Sequence, residues 1–124
     1  MRNPVGIFYS YYPYNDSVEW EKCIRRASSS GADSIEISAM RLVRESRSVQ
    51  EHISKVADEV GIKISFTTGL PIGCDTSSAD ETQRRNGIDF IAENIRLVKQ
   101  MGGSILGGVF HGQNHLPRNG EYLQ

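Results

Sequence analysis

The chain has 124 residues, 14 Lys and Arg against 15 Asp and Glu, and a formal net charge of -1. That length suits one domain able to withdraw roughly two thirds of its unfolded surface from water. The near balance of charge, with no basic stripe, argues against nucleic acid as a partner, because phosphate binding needs clustered Lys and Arg. Two cysteines, Cys23 and Cys74, are too few and too far apart for a disulfide framework or a zinc knuckle. The expectation is a reduced, cytoplasmic protein. No leader pattern opens the chain, and no apolar run approaches the ~20 residues a membrane span needs.

In chain order, "PVGIFYS" (4–10) is the first strand candidate, and "SVEWEKCIRRASSS" follows as a helix with Val18, Ile24 and Ala27 among its apolar positions. Gly31 supplies its stop. "DSIEISA" (33–39) is the second strand. The second helix opens on Ser48 with Glu51 three residues later, a capping-box spacing in which each side chain satisfies a free amide of the other. Val49, Ile53, Val56, Ala57 and Val60 form its apolar stripe, closed by Gly61. "IKISFTT" (62–68) is the third strand. "GLPIGCDTS" is turn chemistry leading into a second capping box, Ser78 with Glu81. The third helix carries Ile88, Ile91, Ile95, Val98 and Met101 as its expected buried stripe, with Gly102 and Gly103 ending it. "SILGGVFH" (104–111) is the fourth strand, and 112–124 reads as a polar tail.

The order β-α-β-α-β-α-β implies parallel strands joined by helical crossovers. Alternation then divides each strand into two faces. Val5, Ile7 and Tyr9 oppose Gly6, Phe8 and Ser10; Ile35 and Ile37 oppose Ser34, Glu36 and Ser38; Ile64 and Phe66 oppose Ser65, Thr67 and Gly69. An open doubly wound sheet, covered by helices on both sides, would be apolar on both faces. One polar face fits a barrel wall, with that face turned inward. Four strands are half of the eight such a barrel takes. The fold class expected is therefore α/β, the N-terminal half of a (β/α)8 barrel.

Five segments, "GIFYSYY" (6–12), "GADSIEIS" (31–38), "GIKISFTTGLP" (61–71), "SSADETQRRNGIDF" (77–90) and "GGVFHG" (107–112), resemble in order and spacing the N-terminal half of the D-tagatose/D-psicose 3-epimerases, ketose 3-epimerases of the xylose-isomerase-like group. The resemblance runs from about Met1 to His111. It implies a TIM barrel with a divalent metal, manganese or cobalt, that removes and returns the C3 proton of a free ketose through an enediolate. It also implies that metal ligands and catalytic glutamates lie on strands five to eight, so that these residues alone are expected to be inactive and to contribute no catalytic or metal-ligating group. Phe8 matches the family's aromatic residue against the sugar, Gly69 the glycine where backbone nears substrate, and Glu36 the inward carboxylate of strand two. Val109 and His111 fall at the end of strand four. The chain departs from the family at Asp16 and Asn114, where aromatic residues are expected.

The residues themselves also leave blander readings open. His111 and His115 have an H-x3-H spacing, but it straddles a strand end and a loop instead of one helix face, so metal binding is disfavoured. Cys23 reads as a small buried hydrophobe and Cys74 as an incidental thiol. Beyond the first strand, Tyr11, Tyr12 and Tyr14 reach the active-site end of a parallel barrel, where rings stack on sugars and hydroxyls bond them. The expected ketose-binding set is Phe8, Tyr12, Glu36, Gly69, Val109 and His111. Free edges on strands one and four predict self-association. The competing reading is a non-catalytic module that binds a sugar or sugar phosphate.

Overall fold

The computed structural model describes residues 2–12 and 18–111. Four parallel strands, β1 (Gly6–Phe8), β2 (Ser34–Ser38), β3 (Lys63–Thr68) and β4 (Leu106–Gly108), lie side by side in chain order. A doubly wound sheet reverses its strand order at a switch point; this one does not, and the open-sheet alternative falls. Between the strands, among the described residues, come a 3-10 turn (Tyr9–Tyr11) and four helices, α1 (Trp20–Ser29), α2 (Ala39–Leu42), α3 (Arg47–Val60) and α4 (Glu81–Gln100).

The core sits on one side of the sheet, as the alternation requires. Ile35, Ile37 and Phe66 are fully buried there against Ile24 and Ala27 of α1, Leu42 of α2, Ile53 and Val56 of α3, and Leu97 and Val98 of α4. Each such large side chain contributes about 1.5–3 kcal/mol by leaving water. The start of β1 is pinned at the sheet edge by Asp33, whose two carboxylate oxygens accept from the Val5 amide and the Arg2 guanidinium, both at 2.8 Å. Gly61 ends α3 in the left-handed region at φ 70°, the conformation a helix stop needs and only glycine adopts freely.

The helix starts differ from those the sequence spacing suggested. Ser46, not Ser48, caps α3, its hydroxyl accepting from the Val49 amide at 3.3 Å. Asp80, not Ser78, caps α4, with Oδ1 accepting from Thr82 and Gln83 amides at 2.8 and 3.2 Å. In each case a competing oxygen lies two residues from the one expected. The Asp80 carboxylate is a stronger acceptor than a serine hydroxyl at a helix's positive end. Ser78 is instead one step back, accepting from the Asp80 amide. The short α2 was not anticipated; it forms because Ser38, last residue of β2, turns its hydroxyl onto the Arg41 amide.

The stripe expected on α4 is also displaced. Gly87, Asn94, Leu97 and Val98 are the buried positions, while Ile88 and Ile95 stand 60% and 53% exposed. The helix crosses the loop after β3 so closely that a Cβ at Gly87 would come within 3.0 Å of Thr76. That close crossing fixes which face turns inward. β1 and β4 are shorter than expected; after Phe8 the chain tightens into the 3-10 turn, where the Tyr12 amide donates to the Tyr9 carbonyl.

Candidate site on the inner wall of the sheet

The second face of the sheet carries no helix among the described residues, and its side chains fall into rows set by the strand register. Phe8, Glu36 and Ser65 are level with one another, and the next row holds Ser38, Thr67 and Gly107. Phe8 is 45% exposed, Glu36 and Ser65 are half-buried, and Glu36 has no hydrogen-bonding or charged partner among the described residues. A polar group left without a protein partner needs solvent or a ligand's donors to satisfy it. The row thus offers an aromatic face, a carboxylate acceptor and a hydroxyl, about 10 Å from end to end across three strands.

Above these rows, at the C-terminal ends of the strands, lie the rim segments. Gly69 follows β3, and a Cβ built on it would meet no atom within 4 Å. Its backbone is not in the left-handed region either. Neither conformation nor crowding within the described residues requires glycine here. The opposite holds at Gly108, which has φ 126° and whose Cβ would collide with the Thr68 carbonyl. Val109 is 41% exposed and its amide donates to the Thr68 carbonyl at 3.0 Å; His111 is exposed just beyond. Thr76 Oγ1 donates to the Phe110 carbonyl at 2.6 Å, and Asp75 Oδ1 accepts from the Ser77 amide and hydroxyl, so the loop after β3 is tied to the end of β4.

Tyr12 is not on this wall. It is buried, with the Arg26 guanidinium over its ring at 5.3 Å, and it joins Tyr9 and Trp20 in the core beneath the rim. The exposed ring of the pair is Tyr11, at 78%. The 3-10 turn causes the exchange, because strand parity no longer applies beyond Phe8. Tyr14, Asp16, Asn114, His115 and the tail from 112 lie outside the described residues.

No group of three or more His, Cys, Asp or Glu side chains among the described residues comes together as a metal site. The described residues therefore do not fit the divalent metal that the resemblance implies, and no step through it is drawn. No described helix is long and apolar enough to cross a membrane. A cleft of about 490 Å³ opens at the opposite, N-terminal end of β3, lined by Ile62, Lys63 and Ser104, away from the inner wall.

Sheet order, one-sided core and polar inner rows define an N-terminal half of a TIM barrel. The sequence matches no protein-family model. Among solved structures, the chain is similar to a D-psicose 3-epimerase determined in the presence of D-fructose, with TM-score 0.83 and 25% identity. The match covers 93% of this chain and 40% of that one. It is similar as well to D-psicose 3-epimerase with D-tagatose from Clostridium cellulolyticum H10 (TM-score 0.80, 22% identity, 87% and 37% covered). An L-ribulose 3-epimerase matches at TM-score 0.67 and 23% identity over 93% and 39%. The chain thus spans about two fifths of the length of these neighbours.

Proposed function

We propose that these residues form the ketose-binding wall of a 3-epimerase-type barrel. In this reading Phe8 packs against the carbon face of the sugar, and Glu36 accepts hydrogen bonds from its hydroxyls. Gly69 admits the ligand close to the backbone, and Val109 and His111 border it at the end of β4. The proton transfer at C3 through an enediolate, which the resemblance implies, then falls to groups outside the described residues, as does the metal. The single observation that carries the reading is the inner row of Phe8 and Glu36, the latter without a partner among the described residues, below a glycine that the described fold does not itself require. The neighbours' ligands, D-fructose and D-tagatose, set the substrate class to try first.

Isothermal titration with D-fructose, D-tagatose and D-psicose, with and without manganese, tests it. Phe8→Ala is expected to leave the melting temperature nearly unchanged while weakening ketose binding about tenfold, ~1.4 kcal/mol, of the order of one lost ring contact, and Gly69→Ala to weaken it by placing a methyl group where the ligand approaches the backbone. Equal affinities for parent and variants would remove the wall from ketose binding. Binding that does not depend on manganese, without conversion of the sugar, favours the non-catalytic module.

A further inference from the structure

The end of β4 takes its direction from a side chain outside the strand. The Ile105 carbonyl and the Val109 amide bond to β3, so in a parallel ladder residues 105, 107 and 109 turn their main-chain groups toward that strand. A regular continuation would face the Phe110 carbonyl away from β3. Instead that carbonyl accepts, at 2.6 Å, from the hydroxyl of Thr76 in the loop that follows β3. The change of direction begins at Gly108, whose φ of 126° is open to glycine and strained for other residues. Val109 is still held by its amide's bond to the Thr68 carbonyl. His111 is exposed and makes no hydrogen bond of its own among the described residues. Strand parity no longer aims it; the bond from Thr76 to the adjoining carbonyl does.

Thr76 is itself held from the other side. Its methyl carbon and its amide nitrogen each lie 3.0 Å from where a Cβ on Gly87 of α4 would stand, so it is seated on the helix backbone. The turns around it are closed as well. Asp75 Oδ1 accepts from the Ser77 amide and hydroxyl at 2.8 and 2.7 Å, and Asn86 of α4 donates to the Gly73 carbonyl at 3.3 Å. A β-branched side chain is stiff at its first torsion, so a methyl seated on α4 fixes where the hydroxyl points. The helix thus reaches the rim through one side chain, from Gly87 to Thr76 and from Thr76 to the peptide between Phe110 and His111.

We propose that Thr76 is a positioning residue of the ketose wall: its hydroxyl holds the peptide between Phe110 and His111 and so sets where the imidazole stands beside Gly69. The use of that imidazole rests on the ketose reading, whereas the holding of the peptide does not.

Two substitutions separate the parts of Thr76. Thr76→Val keeps the branched shape against Gly87 and removes the donor, while Thr76→Ser keeps the donor and removes the methyl. By NMR of the free protein, Thr76→Val should shift the His111 imidazole signals and leave the Phe8 ring signals in place; Thr76→Ser should keep both near the parent's. Gly87→Ala, which crowds Thr76 from the helix, should shift the same imidazole signals and decides the matter if Thr76→Val folds poorly. Unmoved imidazole signals overturn the proposal. In titrations with D-fructose and D-tagatose, Thr76→Val should weaken binding about three- to tenfold, the span of one hydrogen bond, and Thr76→Ser should restore it. In a His111→Ala background the same change should cost little, because the contact it positions is already gone. An equal loss in both backgrounds makes Thr76 a support of its loop alone and overturns the positioning role. A parent that binds neither sugar removes the ketose reading, and the imidazole signals still decide whether Thr76 places His111.

Discussion

Gly103 gives a close test of the packing account. The sequence pattern reads it with Gly102 as helix punctuation, but only Gly102 has a left-handed φ, 77°. Gly103 is required for space. A Cβ there would lie 2.5 and 2.9 Å from Cε2 and Cδ2 of Phe66 and 2.9 Å from Cγ1 of Val98. Phe66 is 1% and Val98 5% exposed, so neither can swing into solvent. Gly103→Ala therefore forces an overpacked contact costing about 1–3 kcal/mol. For a chain of this size that lowers the melting temperature by roughly 3–5 °C per kcal/mol. Phe66→Leu alone loses ring contacts, at about 1–2 kcal/mol. It also opens the space that the methyl introduced by Gly103→Ala needs, so the double variant should cost less than the sum by at least ~0.5 kcal/mol. Urea unfolding followed by the fluorescence of Trp20, which lies in the core, measures all four corners of the cycle. Additivity within ~0.3 kcal/mol would refute the steric reasoning.

Asp80→Ala should destabilise α4 by about 0.5–2 kcal/mol and Ser78→Ala by less, read from urea midpoints, because Asp80 holds the two helix amides. Glu21 is held below the usual carboxylate range by hydrogen bonds from His52 first and Arg25 second. A depressed folded value means stability that is present above the unfolded carboxylate pKa and lost as pH falls through the folded one. Glu21→Gln should therefore melt lower than the parent near neutral pH, and the gap should close as acid protonates the parent's carboxylate. Burial pushes the Cys23 thiol up, and the residue is 4% exposed. A disulfide reagent should modify Cys74 first and reach Cys23 only on unfolding, as timed absorbance of the released thiolate will show.

The two-faced strands were legible because period-two alternation reports which side is buried regardless of what covers it. Ile35 and Ile37 on one side and Glu36 on the other came directly from that rule. Phe8 followed from the same parity. Tyr12 did not, since parity ends where the backbone leaves the strand, and a 3-10 turn announces itself weakly in sequence. The α4 stripe failed for a different reason. Hydrophobic spacing shows which residues favour burial, but not whether the surface that buries them belongs to the same chain; Ile88 and Ile95 satisfy the pattern and remain in water. Asn94, fully buried with its Nδ2 donating to the Phe90 carbonyl, gave no apolar signal at all. The caps were misplaced by two residues each because a second capping oxygen, Ser46 beside Ser48 and Asp80 beside Ser78, competes for the helix amides, and spacing alone does not rank them.

Strand order that follows chain order has a consequence for synthesis. Among the described residues β2, β3 and β4 each pair with the strand before, at separations of roughly 30 to 40 residues, so these three ladders do not wait for a segment made much later. Contacts accumulate in the direction of translation. β1, α1 and β2, which bring Ile24, Ala27, Ile35 and Ile37 together, are all made before β3, and each later strand adds to the edge of the one before it. A nascent chain of this kind grows its sheet the way a filament grows, by addition at one end.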